Sequence, residues 1–255
     1  MNEEQRIHVC KTAVSQIYTM LRTSPQDWRN FLAIARSVIA HIDNTTLMRR
    51  RDRTTEQTWL VGGLQRLALV DSGSGEVVDI SDWCSRQWMS ILQIEPQNVE
   101  ALRGLGRAWL ARAQSALTRI HRLDGASSSS EGSSQWSAPS MNSSSDERQS
   151  AAAKAEAERR SGTADYVEAR GSLQPAIDYL ERALAAATAQ RSLSGEMLAT
   201  TAEAYMSLGN ASSPRINQTH FARAIQLLRA AAAIQGYTLS RYLQQFLDDF
   251  GRLLD

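Results

Sequence analysis

The chain has 255 residues, of which 42% are hydrophobic and 22% are charged, as in an ordinary globular protein. The formal net charge is only +1, so no overall electrostatic field draws the chain toward nucleic acid or an anionic membrane. The two cysteines, Cys10 and Cys84, are too far apart in sequence for a disulfide framework or a zinc site, which favours an intracellular location, cytoplasmic or nuclear.

The N-terminal residues and the hydropathy pattern exclude two further classes of protein. Residues 1–6 are polar and lack the apolar core of a signal peptide, so we expect no secretory leader. No apolar run approaches the ~20 residues that a membrane helix needs. We therefore expect a protein that makes no contact with a membrane.

Apolar residues recur at helical spacing through the first half of the chain, and Cys10 belongs to the first stripe. Ser24-Pro25 is typical of a helix start, because serine suits the cap and proline suits the first turn. Asp79 or Ser81 is the expected cap of the fourth helix. The predicted helices of this half cover about residues 3–21, 25–42, 55–70, 79–95 and 98–123.

The composition changes abruptly at Ser127. Eleven of the 19 residues from Ser127 to Ser145 are serine, and the stretch holds almost nothing that a core could bury. Residues 146–160 are good helix formers without a continuous apolar stripe, which predicts a transient or solvent-facing helix. We predict a disordered Ser-rich insertion over residues 126–160, between N-terminal helices in residues 1–125 and C-terminal helices in residues 161–255.

Helical spacing of the apolar residues returns after the insertion. Four further helices are expected, at about residues 166–190, 194–208, 219–235 and 238–254. No segment shows the alternation of apolar and polar residues that a strand would show. The predicted fold class is therefore all-α.

Two segments of the chain carry the pattern of a helix-pair repeat in which small residues let two helices approach closely and bulky residues fill the gaps. After Pro96, the first helix of one repeat shows the order bulky, bulky, small, bulky in Leu102, Leu105, Gly106 and Trp109. Its second helix follows the insertion, with Ala176, Leu180 and Ala183. The next repeat has Leu198, Thr201, Ala202, Tyr205, Ala224, Leu228 and Ala231 at the corresponding places.

In these residues the chain resembles the tetratricopeptide repeat (TPR) family. The resemblance covers about residues 79–235 without the insertions, whereas the N-terminal helices fit only by type. It implies antiparallel helix pairs stacked as a short right-handed superhelix, with the final helix as a cap. It also implies an adaptor or scaffold that binds a peptide or helix of a partner protein in a concave groove, with no catalytic residues and no cofactor.

Within this family, certain positions of the first helix of each repeat line the groove. By resemblance, the groove residues of this chain are Glu100, Arg103, Arg107, Leu110, Glu196, Ala199, Glu203 and Met206. Arg103 and Arg107 are four residues apart and share a helix face, so that together they could hold a carboxylate or phosphate. Pairing of Arg107 with Glu100 or another surface acid is the plainer alternative.

The densest basic run consists of Arg49, Arg50, Arg51 and Arg53. Such a run can contact nucleic acid, so an accessory nucleic-acid-associated component is the alternative function. A solvated loop between helices is the plainer interpretation, given the neutral balance of the whole chain.

Little in the sequence points to chemistry. The four histidines show no metal-ligand spacing, and no glycine-rich phosphate loop follows a strand. The tryptophans in or at the start of predicted helices are expected in the core, namely Trp28, Trp59, Trp83, Trp88 and Trp109. The sequence therefore predicts a protein that is not an enzyme and that holds no metal.

Overall fold

The computed structural model describes the backbone of residues 2–127 and 144–254, and the side chains of residues 2–122 and 151–252. Within these ranges the chain is all-α and contains no strand. The helices are α1 Glu3–Thr23, α2 Leu32–Asp43, α3 Thr54–Ala68, α4 Val78–Ile94, α5 Val99–Ser127, α6 Ser144–Ser161, α7 Ala164–Ala189, α8 Gly195–Ala211, α9 Asn217–Ala232 and α10 Arg241–Phe250.

The Ser-rich insertion falls partly outside this description. Its residues 128–143 lie outside the described residues, so the predicted disorder there stays a prediction. Residues 144–161 form α6, so the predicted disorder is wrong over residues 144–160, where the good helix formers of residues 146–160 favour the helix that their composition also predicts. None of the described helices is both long enough and apolar enough to cross a membrane.

Two predicted helix starts are wrong in detail. Pro25 begins a 3₁₀ segment, Pro25–Phe31, and α2 begins only at Leu32. The fourth helix begins at Val78, directly after the 3₁₀ turn Gly75–Val77, in which the Glu76 amide donates a hydrogen bond to the Ser74 hydroxyl. Neither Asp79 nor Ser81 is therefore its cap. In both places a tight 3₁₀ turn precedes the α-helix, and helical spacing of apolar residues does not reveal such a turn.

One compact unit, called unit 1 below, consists of Met1–Ala111 and Tyr179–Gln190. In it α1 packs on α2 and α3 packs on α4, while α1 also contacts α3 and α2 contacts α4. The inward stripe of α1 is buried as its spacing predicts, with Cys10 as one member. The largest fully buried side chains of the unit include Ile17, Leu60, Leu64, Trp88 and Ile91.

The second compact unit, unit 2, consists of Arg112–Asp178 and Arg191–Asp255. Its closest helix pair is α8 with α9, and α10 packs on α9. Gly209 allows the close approach in this pair, because a Cβ there would lie 2.7 Å from the ring of Phe221. Gly195 faces the ring of Tyr237 in the same way.

Candidate functional site

The four groove residues predicted on α5 lie in unit 1 and differ in exposure. Glu100 is exposed, whereas Arg107 and Leu110 are half-buried. Arg103 is only 9% exposed, and its guanidinium lies 4.0 Å from the carboxylate of Glu100. The part of this set that a partner can reach most easily is therefore Glu100, beside the partly exposed Arg107 and Leu110.

The four groove residues predicted on α8 lie in unit 2. Glu196 and Glu203 are exposed, and Ala199 and Met206 are buried. On this helix the two glutamates are the exposed members of the predicted groove set.

A pair of stacked aromatic rings marks the surface of α1 and α3 in unit 1. The rings of Tyr18 and Trp59 have centroids 5.3 Å apart and planes inclined by 37°. The Tyr18 hydroxyl donates a hydrogen bond of 3.0 Å to the backbone oxygen of Trp59. Trp59 is 36% exposed, so its expected place in the core is wrong, whereas Trp28, Trp83 and Trp88 are buried as predicted.

Charged groups from α3 and α5 converge on the same ring. Arg66 lies two helical turns after Trp59, and its guanidinium carbon is 5.4 Å from the centre of the Tyr18 ring. Burial raises the pKa of the Tyr18 phenol, the nearby Arg66 opposes that rise, and the Glu100 carboxylate adds to it. The phenol therefore stays protonated and keeps its hydrogen bond. Tyr18, Trp59, Arg66 and Glu100 together are called the α1–α3–α5 surface.

Close helix packing brings these groups together. A Cβ at Gly63 would lie 2.5 Å from Val14 and 2.8 Å from the Tyr18 ring, so only glycine lets α3 approach α1 this closely. The buried Gln65 donates a hydrogen bond of 2.7 Å to the backbone oxygen of Gly104 and thereby ties α3 to α5. The Gly62-Gly63 pair inside a helical pattern is the sequence signal that could have indicated this contact.

The basic run forms two 3₁₀ turns, Leu47–Arg49 and Arg51–Arg53, in unit 1. Arg50 makes a two-point contact with Asp52, with the shorter distance 2.7 Å, and this contact lowers the pKa of the Asp52 carboxyl. Arg53 contacts Glu4 at 2.7 Å and Glu56 at 2.6 Å.

The other two members of the run behave differently. Arg49 and Arg51 are exposed, and within the described part of the chain neither forms a salt bridge. Neighbouring acids therefore neutralise Arg50 and Arg53, whereas Arg49 and Arg51 are available to a ligand.

The described residues show no cluster of three His, Cys, Asp or Glu side chains that could hold a metal ion. Cys10 and Cys84 are buried and not joined in a disulfide. Burial raises the pKa of both thiols, which keeps them protonated and unreactive at neutral pH. We therefore assign no nucleophilic role to either cysteine.

No model of a known protein family matches the chain, and no curated protein matches it either. The function proposed below therefore rests on the geometry of the described residues.

Proposed function

We propose that this chain is a protein–protein interaction scaffold built from TPR-like helix pairs, which binds a peptide or helix of a partner protein. The proposal assigns the α1–α3–α5 surface of unit 1 as the principal contact surface. It assigns no catalytic step and no cofactor to the chain. The observation that carries it is the exposed Trp59 ring, stacked on Tyr18 beside Arg66.

The packing of the N-terminal helices supports the repeat part of the proposal. Consecutive helices pair, α1 with α2 and α3 with α4. The two pairs also contact each other, because α1 packs on α3 and α2 on α4. This pattern is typical of repeat proteins, in which each pair buries its apolar face against the next pair. The TPR-like superhelix is therefore proposed to include α1–α3, which precede the region of sequence resemblance, together with α4.

The composition of the α1–α3–α5 surface supports the binding part. Tryptophan, tyrosine and arginine are the residues most enriched at binding hot spots, and all three occur here within contact distance. The hydrogen bond from Tyr18 holds the aromatic pair in place before any partner arrives, which lowers the entropy cost of binding.

The charges of the same surface indicate the kind of partner. Arg66 and Glu100 bring both signs of charge close to Tyr18, whose ring contacts the exposed Trp59 ring. Such a surface suits an amphipathic helix or an extended peptide of mixed charge better than a uniformly acidic tail. We therefore propose a partner segment with an apolar side chain for Trp59 and flanking charges of both signs.

The nucleic-acid-associated function is the weaker proposal. A protein that follows a phosphate backbone needs several available cations, since affinity grows with the number of phosphates neutralised. Here Arg50 and Arg53 are engaged by Asp52, Glu4 and Glu56. These acids would also repel a phosphate backbone placed along the run.

Affinity capture with the immobilised full-length chain tests the proposed function. We expect the double variant Trp59→Ser/Arg66→Gln to bind its partner about tenfold or more weakly, and so to capture less of it. The reason is that truncation of a hot-spot residue costs about 2 kcal/mol or more of binding free energy. The captured proteins are compared by quantitative mass spectrometry of extracts from the native source.

The matched control is Val167→Ser/Arg241→Gln, which removes one exposed apolar side chain and one exposed arginine from unit 2. It should capture the same partners as the unaltered chain. Retention of every partner by Trp59→Ser/Arg66→Gln, with an unchanged helical circular-dichroism signal, would show that the α1–α3–α5 surface is not the binding surface.

A further inference from the structure

A second candidate binding site lies in unit 1, on different helices from the α1–α3–α5 surface. It is a groove of about 430 Å³ between the basic run and α4, which is within the size range of small-ligand and side-chain pockets. The residues that line it include Met48, Arg49, Arg51, Gln87, Ser90 and Gln93.

Hydrogen bonds from neighbouring helices hold the backbone of the loop that carries Arg49 and Arg51. Gln57 is almost fully buried, and its side-chain amide donates to the backbone oxygens of Leu47 at 2.7 Å and Arg50 at 2.6 Å. At the start of the loop, Thr46 donates to the Glu3 carboxylate from its amide at 3.0 Å and from its hydroxyl at 2.7 Å. The backbone that carries Arg49 and Arg51 is therefore preorganised, so little conformational entropy of the loop is lost when a ligand binds.

Two of the four arginines of the basic run form salt bridges, and the other two line the groove. Arg50 and Arg53 are held by acids of their own surroundings, whereas Arg49 and Arg51 line the groove without a salt bridge to any described residue. Asp43 is the acid of the groove lining, and its carboxylate already accepts a hydrogen bond of 2.9 Å from the Trp83 indole. The groove thus has an excess of positive charge with two arginine forks available.

We propose that this groove binds an acidic peptide segment of a partner protein, in which a carboxylate is held by Arg49 and Arg51. Arginine binds carboxylates through paired, charge-assisted hydrogen bonds. The amides of Gln87 and Gln93 and the hydroxyl of Ser90 supply partners for the peptide backbone, and Met48 and Ile94 provide apolar contact for an aliphatic neighbour. This site is independent of the α1–α3–α5 surface.

Two features favour a peptide over single-stranded nucleic acid. The lining residues, all of them within the described ranges, include no aromatic side chain on which a base could stack. Only two arginines are available, and Asp43 and Asp52 lie beside them, whereas a phosphate backbone needs a longer track of cations.

The test uses fluorescence anisotropy with the full-length chain and three fluorescein-labelled probes. The probes are an eight-residue peptide of alternating glutamate and leucine, its counterpart with glutamine in place of glutamate, and an oligouridylate of eight nucleotides. We expect the acidic peptide to bind about tenfold or more tightly than the glutamine peptide, and more tightly than the oligouridylate at physiological salt.

Three variants locate the binding. Arg49→Gln/Arg51→Gln should raise the Kd of the acidic peptide about tenfold or more. Ser90→Trp, which fills the groove without changing its charge, should also weaken binding. The control Arg22→Gln/Arg241→Gln removes the same net charge from exposed positions on α1 and α10 and should leave the Kd within about twofold.

Each of the opposite results overturns the proposal. Equal weakening by the two double variants would show attraction to net charge alone, with no site at the groove. Tighter binding of the oligouridylate, lost in Arg49→Gln/Arg51→Gln, would make nucleic acid the ligand. No measurable binding of any probe would show that the groove is not a binding site for this chemistry.

Discussion

Three consecutive helices meet at one buried position in unit 1. The Trp88 indole of α4 donates a hydrogen bond of 3.1 Å to the Gln65 amide oxygen of α3, and Gln65 donates to the Gly104 backbone oxygen of α5. A Cβ at Gly104 would lie 2.5 Å from two atoms of the indole. The contact satisfies the buried polar atoms only because residue 104 has no side chain.

The substitution Gly104→Ala should therefore destabilise the protein, although alanine favours helices over glycine by ~1 kcal/mol. Overpacking against Trp88 should cost about 1–3 kcal/mol, and the net loss is measured by urea denaturation. The control is Gly171→Ala in α7, where a Cβ would meet nothing within 4 Å. That variant should gain about 0.4–1 kcal/mol. If both variants gained stability, the assigned packing of Trp88 on Gly104 would be wrong.

One arginine connects the ends of two helices in unit 2. A side-chain nitrogen of Arg170, on α7, donates to the backbone oxygen of Ser161 at 2.7 Å and to that of Ala211 at 2.6 Å. Ser161 is the last residue of α6 and Ala211 is the last residue of α8. A cation at a helix C-terminus satisfies carbonyls that have no helical partner and opposes the negative end of the helix dipole.

The substitution Arg170→Leu should lower the stability of unit 2 by about 1–3 kcal/mol, because both carbonyls lose a charged donor. Thermal unfolding followed by circular dichroism measures this loss. Arg241→Leu is the control, since Arg241 is exposed in the first turn of α10, where a cation is not favoured. An equal change of Tm in the two variants would show that the hydrogen bonds from Arg170 do not stabilise unit 2.

Most of the helices could be predicted because a repeating apolar stripe reports directly on a buried helix face. The predicted helix at residues 55–70 is observed as Thr54–Ala68, and the one at residues 194–208 as Gly195–Ala211. The two hydrogen bonds of Arg170 could not be predicted in this way. The local sequence does not distinguish an arginine that reaches two distant carbonyls from one that faces water.

The candidate site was predictable only in part. The resemblance placed Glu100 beside a groove, and the structure places it near Tyr18. The role proposed for Trp59 and Arg66 could not be predicted from the sequence, because the register of a repeat cannot be carried through an irregular connection. Residues 44–53 hold two 3₁₀ turns, which interrupt the helical period between α2 and α3.

At the scale of the whole molecule, each unit is an assembly of helices with small residues at its closest contacts. In unit 1 these are Gly63 and Gly104, and in unit 2 they are Gly195 and Gly209. Close packing of this kind limits shifts between helices, which favours a fixed arrangement of the helix faces that carry Trp59 and Arg66. A fixed arrangement of exposed residues lowers the entropy cost of binding, which favours the proposed function.

Site-specific photocrosslinking tests most directly whether a partner protein contacts the α1–α3–α5 surface. A benzophenone amino acid is placed at Thr55, an exposed position one helical turn before Trp59, and separately at the exposed Val167 of unit 2. We predict a crosslinked partner from position 55 that is absent from position 167 and is lost in the Trp59→Ser/Arg66→Gln background. Equal crosslinking from both positions, or a product at position 55 that survives in that background, would contradict the claim.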